Sequence, residues 1–116
     1  AVLCGEFSND NTRVITGGED NIAIIWDATS GEILLKLAGH TDRVTAVAFS
    51  PDGTRALTGS QDSLVKLWDA HTGKEILTLA GHREEITSVG FSPDGQAALS
   101  SSRDGKAIVW PAAEWR

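Results

Sequence analysis

The sequence has no methionine and no tyrosine, and its single cysteine, Cys4, stands alone in 116 residues. One thiol excludes an internal disulfide, and without paired Cys or Cys/His spacing there is no metal-binding motif. Basic residues are scarce as well: ten Lys and Arg against sixteen Asp and Glu give a formal charge of -6, with a pI near 4.9. Binding along a phosphate backbone needs clustered positive charge, so nucleic acid is not an expected partner. Long apolar runs are also missing. Stretches such as Ile22 to Trp26 fall far short of the roughly 18 to 20 residues that cross a bilayer as a helix, and no membrane association is expected. The start, Ala1 to Cys4, has no basic region before it and meets Glu6 soon after, unlike a signal peptide. The cytoplasm is the default compartment. The missing Met leaves two expectations, a removed initiator or a piece of a longer polypeptide.

What is present is a globular balance, 41% hydrophobic and 22% charged residues, sized for one small domain at most. Its organising feature is a repeat of 42 residues. Trp26, Trp68 and Trp110 keep that interval, as do Phe7, Phe49 and Phe91, and Asp20, Asp62 and Asp104. Residues 39–68 and 81–110 align without a gap and share 14 of 30 positions. A fixed period of this size means repeated supersecondary units.

Each unit has β texture. Residues 44–49 are apolar on both faces, as in a strand buried between layers. Ser50-Pro51-Asp52-Gly53 and Ser92-Pro93-Asp94-Gly95 then form turns, with Pro presetting one φ, Asp bonding nearby backbone and Gly taking positive φ. Asn9-Asp10-Asn11 aligns with 51–53 and reads as the same turn, not as a calcium loop. Further strands are expected at 55–58 and 64–68, joined by a tight connection at 59–63, and an outer edge strand at 75–79.

Together, Gly39-His40 and Gly81-His82, the Ser-Pro-Asp-Gly turns, the tight-turn Asp and Trp68-Asp69 resemble the WD-repeat β-propeller family. The resemblance covers nearly the whole chain. It implies an all-β fold of four-stranded blades set radially around a channel, divided here into blade one (1–38, lacking the leading Gly-His), blade two (39–80) and blade three (81–116, lacking an outer strand and ending in a short tail). That makes eleven strands, about 2.75 blades. A ring needs more, so the remaining blades are expected from a parent chain of which this is the C-terminal part or, as the alternative, from other copies of this chain. A lone monomer would leave apolar blade faces open.

The resemblance further implies a hydrogen-bond network in each blade: His40, Thr58, Asp62 and Trp68 in blade two, His82, Ser100, Asp104 and Trp110 in blade three, and an incomplete set of Thr16, Asp20 and Trp26 in blade one. His40 with Asp62 and Thr58 or Ser60 has the composition of a catalytic triad, but the same set recurs every 42 residues, as structural networks do. No cofactor motif is present; the Gly17-Gly18 and Gly59-Ser60 pairs lack the rest of a phosphate loop. Cys4 aligns with the small residues Ala46 and Ser88 and is expected to be buried. His71 is expected in a solvated loop, and Trp115 is expected either to cap the last blade or to stand exposed as an anchor.

Propellers of this kind resemble rigid, non-catalytic platforms that hold peptides or protein domains in loops at the channel mouth. The positions that differ between copies are therefore the expected partner contacts: Glu19, Gln61 and Arg103 before the tight-turn Asp, and Asp42, Arg43, Glu84 and Glu85 after Gly-His. Their mostly acidic balance favours a partner protein or peptide rich in Lys or Arg. The alternative is a structural or regulatory propeller segment within a larger enzyme or signalling protein.

Overall fold

The computed structural model describes residues 1–112 and 115. Among the described residues, eleven strands form three antiparallel sheets. The first takes β1 (Val2–Phe7), β2 (Arg13–Gly18), β3 (Ile22–Asp27) and β4 (Ile33–Ala38) in chain order. The second repeats this with β5 (Val44–Phe49), β6 (Arg55–Ser60), β7 (Val65–Asp69) and β8 (Glu75–Leu79), and the third holds β9 (Ile86–Phe91), β10 (Ala97–Ser102) and β11 (Ala107–Pro111). This is the all-β blade architecture expected from the repeat. Ala113, Glu114 and Arg116 of the expected tail lie outside the described residues.

The second sheet is packed between the other two, which explains why β6 and β7 are buried along nearly their whole length while β1 is mostly exposed. One core forms where Ile15, Ala23, Ile25 and Leu37 of the first sheet meet Val44, Val47, Phe49 and Trp68 of the second. The other forms where Leu57, Val65, Leu67 and Leu79 of the second meet Ile86, Ala98 and Trp110 of the third. Alternate residues along a strand point to opposite faces, so each blade supplies one face to the blade before it and one to the blade after.

Two strands differ in their limits from the sequence expectation: β6 runs through Gly59 to Ser60, and β7 starts at Val65 and ends at Asp69. Gly59 is glycine because of packing across the seam, not because the chain turns there. A Cβ at that position would collide with the Ile86 side chain, and one at the equivalent Gly17 would lie 2.6 Å from Val44 Cγ1. Pro111 also proves to be part of a strand, paired with Ala97 as the last residue of β11, a position at a strand end where its missing N–H is tolerated.

The first hairpin turn of each sheet follows the expected chemistry. Gly53 and Gly95 have φ of 74° and 71°, and Asn11 takes 62° in their place, a left-handed conformation that Asn tolerates. The Asp52 carboxylate accepts from the Thr54 N–H at 3.0 Å, the Ser50 hydroxyl at 2.7 Å and the Thr54 hydroxyl at 2.8 Å. These donors hold its pKa down to about 2. Asp10 receives the same three from Thr12 and Ser8, with the same result. It is a turn residue, as its alignment implied.

Trp115 overturns one of its two expectations. It is not an exposed anchor: only 5% of its surface is accessible, and its ring meets Phe91 edge-on at 6.0 Å with the Arg55 guanidinium 5.7 Å from its centroid. A large apolar ring at the seam of the second and third sheets gains more from covering Phe91 than from facing water. Cys4 is half-buried and donates to the Val44 carbonyl at 3.8 Å; burial pushes its thiol pKa up, away from reactivity. His71 is exposed in the loop after β7.

Candidate functional site: the buried networks and the rim

In blade two, the His40 side chain is fully buried. Its Nδ1 lies 2.9 Å from Asp62 Oδ2 and its Nε2 lies 2.6 Å from Thr58 Oγ1, which also accepts from Trp68 Nε1 at 2.9 Å. One assignment of protons satisfies every atom. The indole N–H donates to Thr58, the Thr58 hydroxyl donates to Nε2 of a neutral imidazole, and the Nδ1–H donates to an ionised Asp62. Burial lowers the His40 pKa, against the opposing pull of Asp62, in keeping with the neutral ring. For Asp62, burial acts upward, but hydrogen bonds from the Leu64 N–H, His40 and the Thr41 N–H outweigh it and keep the pKa below its usual value. Because Thr58 is completely inaccessible, the hydroxyl of the triad-like set faces no solvent. Ser60 is committed too, donating to the Asp42 carbonyl at 3.0 Å and accepting from the Asp62 N–H.

Blade three repeats the arrangement. Trp110 Nε1 donates to Ser100 Oγ at 2.9 Å, Ser100 lies 2.8 Å from His82 Nε2, and His82 Nδ1 lies 3.1 Å from Asp104 Oδ2. The Arg83 N–H, then the Lys106 N–H and His82, hold Asp104 down to a pKa of about 2. Blade one keeps two links. Trp26 Nε1 donates to Thr16 Oγ1 at 2.8 Å, while the exposed Asp20 accepts only a long bond, 3.3 Å, from the Ile22 N–H.

The seven unrepeated positions gather at the end of the sheets where these tight turns lie. Glu19 reaches across the first seam to Arg43, Oε2 to Nη2 3.7 Å, and Gln61 reaches across the second to Glu85 at 3.5 Å. Arg103 folds onto Glu85 within its own blade, at 2.9 Å. Asp42, Gln61, Glu84, Glu85 and Arg103 line one open depression of about 370 Å³. Both arginines are thus engaged by carboxylates, and Asp42 and Glu84 stand exposed beside them. Exposed pairs of this kind contribute about 0–1 kcal/mol each; they shape the rim more than they stabilise the fold.

Across its three repeats the chain matches the family described as WD domain, G-beta repeat, over residues 1–27, 31–69 and 73–111. It belongs to the WD-repeat family. This WD-repeat chain is 47% identical over 38 residues to WD repeat-containing protein 41 of Mus musculus, a stretch covering 33% of the chain and 8% of that relative. It is 51% identical over 35 residues to the human Angio-associated migratory cell protein (30% and 8%), and 41% identical over 39 residues to Pre-mRNA-processing factor 19 of Bos taurus (34% and 8%). The matched stretch is therefore a small part, 8%, of each of these relatives.

Sequence reasoning missed the polar contacts that join the blades. Arg13 of the first WD repeat donates from Nη1 to the Ala70 carbonyl at 2.8 Å and from Nη2 to the Gly53 carbonyl. Glu6 accepts from the Phe49 N–H at 3.2 Å, and Thr45 donates to the Ile86 carbonyl. It also missed Lys66, only 7% exposed, whose Nζ binds both Glu75 oxygens at 3.1 Å and Thr78 Oγ1 at 2.9 Å. A signal existed for it: Lys66 stands where the other repeats have Ile24 and Ile108.

Proposed function

We propose that this WD-repeat chain is a non-catalytic protein-interaction scaffold whose rim binds a peptide or protein segment carrying Lys or Arg. The observation that carries the reading is the division of labour among its polar residues. Those that recur every 42 residues, His40, Asp62 and Thr58 and their counterparts, are consumed in buried hydrogen bonds. Those that differ between repeats meet on one exposed rim. A rigid framework presenting variable side chains is the usual arrangement of a binding surface. With four carboxylates and two arginines that are already paired, the rim attracts cations.

The test is a fluorescence titration with two peptides of equal length, one alternating Lys or Arg with Gly, the other Glu with Gly, at several salt concentrations. The basic peptide binds with an affinity that falls as salt rises, and the acidic one does not bind. Equal binding of both, or a basic-peptide affinity insensitive to salt, contradicts the reading.

A further inference from the structure

The unrepeated rim residues meet in the same way at both seams, and one of the two meetings lacks a cation. Residues 19 and 43 face each other across the first seam, and residues 61 and 85, their counterparts in the repeat, do so across the second. At the first the pair is an acid and a base, with Glu19 Oε2 3.7 Å from Arg43 Nη2. At the second it is an amide and an acid, with Gln61 Nε2 3.5 Å from Glu85 Oε2. A long bond from a neutral group does little to compensate the Glu85 charge.

Arg103 supplies the missing charge from within the blade of Glu85. Its backbone N–H donates to the Glu85 carbonyl at 3.1 Å, the bond that the Gln61 N–H makes to Arg43 and the Glu19 N–H to Ala1. Each blade thus holds these two positions side by side, but only in blade three do they carry opposite charges. There the side chains meet, Nε 2.9 Å from Oε1, with Glu85 27% and Arg103 70% exposed. The carboxylate belongs to the wall of the depression it shares with Asp42, Gln61 and Glu84; the guanidinium is the outer member. An exposed pair of this kind is weak and gives up its partner at little cost, whereas an incoming guanidinium that offers two N–H groups binds a carboxylate more firmly.

We propose that Arg103 is a resident competitor for the rim: it occupies Glu85 in the free protein, and a Lys or Arg of the bound segment displaces it. The proposal rests on the reading of the rim as a cation-binding surface and assigns the regulation of that surface. Glu85 is the carboxylate that receives the cation, and Arg103 holds the affinity down.

A four-way titration tests this, with the peptide alternating Arg and Gly added to the wild type, Arg103→Gln, Glu85→Gln and the double variant at one salt concentration. Arg103→Gln tightens binding by about three- to fivefold, and the same substitution made on top of Glu85→Gln gives no such gain. An equal gain in both backgrounds shows that Arg103 only repels the peptide at a distance, and overturns the proposal. Binding that Arg103→Gln leaves unchanged or weakens, in a protein whose wild type binds, also overturns it while the cation-binding rim stands. A wild type that does not bind the peptide removes the reading of the rim and the proposal with it. Nuclear magnetic resonance on the wild type gives a second measurement: saturation with peptide moves the Arg103 Nε–H signal to its position in Glu85→Gln, and a signal that stays in place contradicts the displacement.

Discussion

The guanidinium of Arg13 stands 5.0 Å above the ring of Phe49, joining the first blade to the second. The equivalent pair at the next seam is Arg55 and Phe91, and there Trp115 has come between them, touching Phe91 on one side and Arg55 on the other. The two seams of the chain are therefore closed by different chemistry at the same place in the repeat.

Arg13→Ala removes a cation–π contact and two hydrogen bonds to buried carbonyls, and should lower stability by about 2–3 kcal/mol. Among the described residues, Arg55→Ala loses its contact with Trp115 and should cost about 1 kcal/mol or less. Urea denaturation of both variants checks the order; equal losses would show that the first seam does not depend on its guanidinium.

Thr58→Val leaves His40 Nε2 and Trp68 Nε1 unpaired in a fully buried site, with an expected loss of about 2–4 kcal/mol. Thr16→Val, in the blade without an imidazole, strands only Trp26 Nε1 and should cost about 1–2 kcal/mol. Denaturant unfolding that ranks the two variants the other way would show that the His40 bond to Thr58 adds nothing to the stability of blade two.

Acidification should weaken the fold in two stages. Folding lowers the pKa of His40 from its usual 6.5, so the folded protein favours the neutral ring. That contribution is complete above pH 6.5 and is lost as the pH falls below it. Asp10, Asp52 and Asp104 are held at about 2 against a usual 3.8; their contribution is complete above 3.8 and disappears as the pH falls toward 2. Unfolding free energy measured against pH should show both declines, and His40→Gln should remove the upper one alone.

The 42-residue interval of Trp, Phe and Asp makes the blades legible in the sequence alone, because each blade must bury the same residues against its neighbours. The networks of His40 and His82 followed from family resemblance. The contacts between blades were hidden for a physical reason: Arg13 bonds to Ala70, 57 residues away, and one sequence does not record which surfaces of two repeats touch. Gly59 misled for the same reason, since a glycine required by a neighbouring sheet looks like a glycine required by a turn. Trp115, absent from the repeat, had no aligned counterpart to place it.

The division between repeated polar residues that hold the fold and unrepeated ones that bind is tested most directly in one sample, by the affinity of a Lys/Arg-rich peptide for the double variant Asp42→Lys/Glu84→Lys, with the urea midpoint measured alongside. Binding about tenfold weaker or worse, with an unchanged midpoint, is expected. Unchanged affinity, in a protein that remains folded, would contradict it.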